Sequence, residues 1–226
     1  MAYITLRVLD GADRGKVFVH LPTPITIGRE EGNSVQLNDE RISRFHLKIQ
    51  EDLDKLVLTD LESTNGTRVN GEDTQLRILR YGDIIMVGRS VVLYGSRGEI
   101  AGRLDELRNR DLSTSDQVEI EALTQKAASL SSSEFEAQWQ ASESLRSTLH
   151  IPTAPEIPDG LSPAQAAQLS EMLEYLHLRS RALVQGAKIN EASRTVQFDL
   201  EHWQELLDQQ SQLAEYMRRI GEPADD

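Results

Sequence analysis

From Ala2 to about Gly95 the chain is a succession of short apolar–polar alternations, each cut off by Gly, Pro, Asn, Asp or Ser, with no helical periodicity between them. Side chains that alternate with period two belong on strands buried on one face. The candidate strands are Tyr3 to Leu9, Lys16 to Leu21, Ile25 to Ile27, Val35 to Leu37, His46 to Gln50, Lys55 to Asp60, Thr67 to Val69, Gln75 to Ile78, Ile84 to Val87 and Val91 to Tyr94. Many short strands at close spacing predict two antiparallel sheets packed as a β-sandwich, since a parallel α/β sheet needs helices in its connections. Asn70-Gly71 suits a hairpin turn that requires positive φ, while Gly66, Gly82 and Gly88 punctuate strand ends.

After Gly98 the period changes to three and four. Ile100, Leu104 and Leu107 begin it, followed by Ile120, Leu123, Ala127 and Leu130, then Phe135, Trp139, Ser142, Leu145 and Leu149, with Ser131 and Glu134 placed as a capping box. Pro152, Pro155, Pro158 and Gly160 cannot sit inside a helix, so residues 151–162 read as a linker. Ser162-Pro163 then supplies an N-cap and first helical position. The expected organisation is a sandwich over 1–97, amphipathic helices over 98–150, the linker, and over 163–221 a long helix or a helical hairpin with coiled-coil character.

Gly186 is the weak point of that last segment, costing roughly 1 kcal/mol relative to alanine in a helix. Unbroken, the segment would span on the order of 85 Å. Trp203, Leu206, Gln210, Leu213, Met217 and Ile220 form a seam that needs a partner helix. The partner could be a second copy, another protein, or the stretch carrying Leu169, Leu173, Leu176 and Leu183 folding back at Gly186.

Charge follows the same division. Through Arg97 there are 13 Lys and Arg against 14 Asp and Glu, and afterwards 11 against 23. So acidic a chain, without a basic run, is repelled by nucleic acid and by anionic lipid headgroups. It has no cysteine, and its five histidines do not fall at metal-ligand spacing, so neither a metal nor another cofactor is expected. There is no signal-peptide pattern and no membrane-length apolar run, which predicts a cytoplasmic location.

Three clusters interrupt the strands: Gly28-Arg29, Ser43-Arg44-Phe45-His46 and Ser63-Thr64-Asn65-Gly66-Thr67. On neighbouring loops they supply a guanidinium, small hydroxyls and a carboxamide. That set suits gripping a phosphate and the peptide backbone beside it, which is recognition rather than catalysis. No Gly-rich loop with lysine, nucleophile elbow or metal spacing supports an enzyme reading.

The order and spacing of these clusters, followed by Asn70-Gly71 and by Leu79-x-x-Gly82-Asp83-x-Ile85-x-Val87-Gly88, resemble the forkhead-associated (FHA) domain, a phosphothreonine-peptide-binding β-sandwich. The resemblance runs from about Tyr3 to about Tyr94. It implies that Arg29 offers a planar fork of donors to the phosphate, that Ser43 and Arg44 add to that grip, and that Thr64 and Asn65 hold the peptide main chain. It also implies that Arg41 reads the third residue after the phosphothreonine, favouring an acid. Gly28, His46, Gly66, Asn70 and Gly71 would be scaffold, His46 bracing the loop that carries Ser43.

The function this implies is an adaptor. Its sandwich binds a phosphothreonine-containing protein, either a Ser/Thr kinase substrate or the kinase itself, and its helical half oligomerises or docks a second protein. The alternative is a structural scaffold or secretion-assembly component that works mainly through its helices.

Overall fold

The computed structural model describes residues 1–108, 155–191 and 193–222. The chain divides into two units, Met1–Ala154 and Pro155–Asp226. The expected helices that begin at Ile120, the capping box at Ser131, and Pro152 fall outside the described residues.

In the first unit β1 (Tyr3–Asp10), β2 (Val17–Pro22), β3 (Ile25–Gly28), β4 (Val35–Gln36), β5 (Leu47–Asp52), β6 (Lys55–Asp60), β7 (Thr67–Val69), β8 (Glu72–Thr74), β9 (Leu76–Ile78), β10 (Ile84–Val87) and β11 (Ser90–Tyr94) form two sheets. One has the order β2-β1-β11-β10-β7-β8, the other β4-β3-β5-β6-β9. All their ladders are antiparallel except β3–β4. Between the sheets lies an aliphatic core that includes Ile4, Leu6, Ile25, Ile27, Leu47, Ile49, Leu58, Ile85 and Val87. The first unit is a β-sandwich, as the alternation predicts.

The strand expected over Gln75 to Ile78 is β9; β8, which the sequence pattern does not mark, precedes it, and the two belong to different sheets. Between them the Gln75 carbonyl accepts from the Asp60 amide (2.8 Å) as the chain crosses over. Asn70 and Gly71 join β7 to β8 with φ of 55° and 93°, and Val69 pairs with Glu72 across the two-residue turn. Both positive angles fit a type I′ hairpin.

A helix, α1 (Arg97–Arg108), closes the outer face of the six-stranded sheet. Its Ile100, Leu104 and Leu107 pack on Leu9, Ile84 and Leu93 in a second apolar cluster. Ser96 and Glu99 cap its start reciprocally: the Ser96 amide donates to the Glu99 carboxylate (2.7 Å), and the Glu99 amide to the Ser96 hydroxyl (3.3 Å).

In the second unit α2 (Pro163–Gly186) starts at a Ser162–Gln165 capping box with Pro163 in the first turn. The chain then forms a small hairpin, β12 (Lys188–Asn190) and β13 (Thr195–Gln197), before α3 (Leu200–Gly221), whose N-cap Asp199 accepts from the His202 amide (3.0 Å). No continuous helix spans this segment; the chain turns back after Gly186. The His202 imidazole lies over Gly186 and would have to swing aside for a Cβ there. Further along the pair, Gln209 Nε2 donates to Ser180 Oγ (3.0 Å) and Arg179 lies 3.8 Å from Glu205.

The expected seam of α3 is divided between two faces. Leu206 and Leu213 are partly covered on the side of Gln209, while Trp203, Gln210, Met217 and Ile220 stand exposed. No residue of α2 is buried, and α3 buries Gln209 and Gly221. Among the described residues no helix is long and apolar enough to cross a membrane.

Candidate functional site

β3 ends at Gly28 and delivers Arg29 into solvent. The chain carrying Ser43 and Arg44 runs so close that a Cβ on Gly28 would strike the Arg44 carbonyl oxygen. Glycine therefore sets the approach of the two segments. Arg29 N donates to Ser43 O (3.1 Å) and Glu30 N to Arg44 O (3.4 Å). Asn33 Nδ2 reinforces the junction, donating to Arg44 O (2.7 Å) and Glu30 O (2.9 Å), and Gln36 Nε2 donates to Arg29 O (3.0 Å).

His46, fully buried, ties this pair of segments to the β6–β7 loop. Its Nδ1 accepts from Ser43 N (3.0 Å), and its Nε2 lies 3.2 Å from Gly66 O. An acceptor at Nδ1 and a donor at Nε2 assign the neutral imidazole with its proton on Nε2. Burial pushes the His46 pKa below its usual value, against the pull of the Asp60 carboxylate. Asp60 in turn accepts from Ser63 N (2.7 Å), Ser63 Oγ (2.7 Å) and Thr67 Oγ1 (2.5 Å), fixing the loop between those residues.

Across the gap so formed, Thr64 N donates to Ser43 Oγ (3.1 Å), and the Ser43 and Thr64 hydroxyl oxygens are 3.5 Å apart. Among the described residues the Ser43 hydroxyl hydrogen has only that long contact, so it can turn to an incoming oxygen. Asn65 Nδ2 donates to Arg41 O (2.7 Å), and Arg41 N donates to Asp39 Oδ1 (2.9 Å). Arg41 is exposed. Arg29 and Arg44 line one open depression together with Glu30, Glu31, Gly32 and Gln36. Arg44 Nε stands 3.7 Å from the Glu30 carboxylate in an exposed pair.

Arg29, Arg41, Ser43, Arg44, Thr64 and Asn65 are thus carried by three connected loops. Gly28, His46 and Gly66 lie at the joints between those loops. Asn70 and Gly71 occupy another corner, where Asn70 Nδ2 donates to Asp83 and Asn70 Oδ1 accepts from Ile84 N (2.9 Å each). Sequence reasoning missed Asp60, Asn33 and Gln36. Asp60 stands three residues before Ser63, the spacing at which an aspartate caps its own chain. Among the described residues no group of His, Asp and Glu is placed to hold a metal.

Residues 25–88 match the sequence model of the FHA domain. Over 90 residues the chain is 37% identical to the FHA domain-containing protein FhaA of Mycobacterium tuberculosis, which covers 40% of this chain and 17% of the relative. It is 33% identical over 94 residues to an oxoglutarate dehydrogenase inhibitor of Corynebacterium jeikeium, covering 41% of this chain and 65% of that one. The chain therefore spans less than two thirds of either relative. A solved structure from a structural and functional analysis of phosphothreonine-dependent FHA domain interactions is 35% identical, with 42% of this chain and 97% of that chain covered and a TM-score of 0.38. The first unit thus carries an FHA domain at residues 25–88.

Proposed function

We propose that this protein is a phosphothreonine-dependent adaptor. The observation that carries the reading is the backbone bond from Arg29 N to Ser43 O, which sets a guanidinium-bearing loop edge to edge with a hydroxyl-bearing one, while Thr64 and Asn65 are held against the second by side-chain bonds. In this reading Arg29 takes two phosphate oxygens with its planar fork, a geometry lysine does not reproduce. Ser43 donates its hydroxyl to another oxygen, and Arg44 adds charge at the rim. Thr64 and Asn65 bind the peptide main chain, Asn65 through the carbonyl left over from its bond to Arg41. Arg41 selects an acidic side chain three residues beyond the phosphothreonine, an exposed pairing that contributes about 0 to 1 kcal/mol.

The partner is a protein phosphorylated on threonine, either the substrate of a Ser/Thr kinase or the kinase itself. Sequence likeness to FhaA and the FHA domain at residues 25–88 support this choice of ligand. The helical region serves oligomerisation or docking, and the apolar side chains exposed on α3 favour such a role. They equally suit a scaffold that works through its helices alone; in that case function would survive loss of Arg29 and Ser43.

Calorimetric titration with a phosphothreonine peptide and its unmodified counterpart tests the proposal. The wild-type protein is expected to bind only the modified peptide. Arg29→Ala should weaken binding by about 10- to 100-fold, the loss of charge-assisted hydrogen bonds worth about 1.5 to 3 kcal/mol. Equal affinity of the two peptides would dismiss the reading.

A further inference from the structure

Asp39 lies half-buried in the β4–β5 loop, two residues before Arg41, and backbone amides take both of its carboxylate oxygens. Oδ1 accepts from Arg41 N (2.9 Å) and Oδ2 from Arg89 N in the β10–β11 turn (2.6 Å), so one side chain joins segments 50 residues apart. Gly88 lets that turn come in: a Cβ there would lie 2.7 Å from Asp39 Oδ2, 3.1 Å from Ile42 Cγ1 and 3.2 Å from Arg41 Cβ. Its φ is 57°, in the left-handed region that favours glycine. The chain is pinned again on the other side of Asp39, where buried Asp13 accepts from Asn38 N (2.5 Å) and Asn38 Nδ2 (2.7 Å).

An aspartate placed among arginines suggests a charge pair, yet here the carboxylate bonds their backbone, and the Arg41 side chain stands exposed. What Asp39 fixes is the main chain on both sides of the Arg41 Cα. Its carboxylate holds the peptide unit before that atom, and its own carbonyl accepts from Ile42 N (3.0 Å) in the unit after it. The Arg41 carbonyl belongs to that second unit and is the acceptor of Asn65 Nδ2 (2.7 Å). A carboxamide is planar, so a bond that fixes its nitrogen also fixes where its oxygen points.

We propose that Asp39 is the positioning residue for the peptide-reading half of the site, aiming the Asn65 carbonyl, through Arg41, at the main chain of a bound phosphopeptide. This rests on the phosphothreonine reading above. The phosphate-gripping half has braces of its own. The close approach at Gly28 and the bonds made by Asn33 and His46 hold Arg29, Ser43 and Arg44, and Asp39 takes no part in them. Loss of the Asp39 carboxylate therefore weakens the hold on the peptide and leaves the demand for phosphate intact, as expected when a supporting residue is removed from behind a binding group.

Asp39→Asn keeps the size of the side chain but offers one acceptor oxygen where two N–H groups point, so one of them loses its partner. Gly88→Ala displaces the same carboxylate from the turn and gives an independent variant. Each is made in the full-length protein, alone and with Asn65→Ala, and titrated with a phosphothreonine peptide. The expected loss of affinity is about 10-fold in the wild-type background and under about two-fold with Asn65→Ala, because residues that act in series are not additive. Nitrogen-15 spectra of the ligand-free protein should show the Asn65 side-chain amide moved in Asp39→Asn. Unchanged affinity in both variants, an equal loss in the two backgrounds as a merely structural brace would give, or an unmoved Asn65 amide would each overturn the proposal. If the wild type still binds only the modified peptide, such a failure leaves the adaptor reading standing; equal wild-type binding of modified and unmodified peptides removes that reading and this proposal together.

Discussion

Protonating His46 would put a hydrogen on Nδ1, facing the Ser43 N–H that now donates to it. Burial already holds this imidazole below its ordinary pKa, so the folded chain binds fewer protons than the unfolded one, whose histidine titrates near about 6.5. Its contribution to stability is complete above that value and is lost as pH falls below it toward the lower folded pKa. Urea unfolding of wild type should therefore weaken between about pH 7.5 and 5.5 more than unfolding of His46→Gln; parallel pH profiles would refute this. The place of His46 was readable from the sequence because a family pattern includes it. The places of Asn33 and Asp60 were not, for different reasons. Asn33 acts on the Arg44 carbonyl eleven residues away, which no local spacing encodes. Asp60 does carry a local signature, but in an alternating strand it passes for an ordinary solvent-facing position.

For most strands, alternation located the elements to within a residue or two, since one buried face leaves a strong period-two trace. β8 was lost because Glu72-Asp73-Thr74 has no apolar member; its pairing with β7 is dictated by the Asn70-Gly71 turn. The hairpin β12–β13 was submerged in an expected helix, although Ile189, Thr195 and Val196 are β-branched and sit on its two strands. The helical spacing of Ile100, Leu104 and Leu107 was visible, but not what they cover. The unbroken run Ile84-Ile85-Met86-Val87 held the clue, because a strand apolar on both faces is buried on both. α1 supplies the second cover. Ile100→Ala should therefore cost about 2 to 4 kcal/mol in urea unfolding, as a core truncation does, and a change below about 0.5 kcal/mol would mean that the helix is dispensable. By the same argument a fragment ended after Arg97 should unfold at lower urea than one ended after Arg108.

The two units make separable predictions. A fragment of residues 1–108 retains every loop of the candidate site together with the helix that seals the sheet, and it should bind a singly phosphorylated threonine peptide within about two-fold of the full chain. A ligand carrying two phosphothreonines should behave differently. Oligomerisation through the helical region, as proposed, would present two sites on one particle and bind it about 100-fold or more tighter than the fragment does. Surface plasmon resonance on ligands with one and two marks would separate the cases. One feature of the sandwich bears on how such a molecule is controlled. Ser43, His46, Asn33 and Asn65 knot the three loops together through bonds within the sandwich, and a face braced in this way loses little freedom on taking up a guest. Acting as the proposed phosphothreonine reader, such a face would not be switched by folding of its own loops. Command over such a reader would pass to whichever enzymes write and erase the mark, and its tempo would be that of encounter and departure.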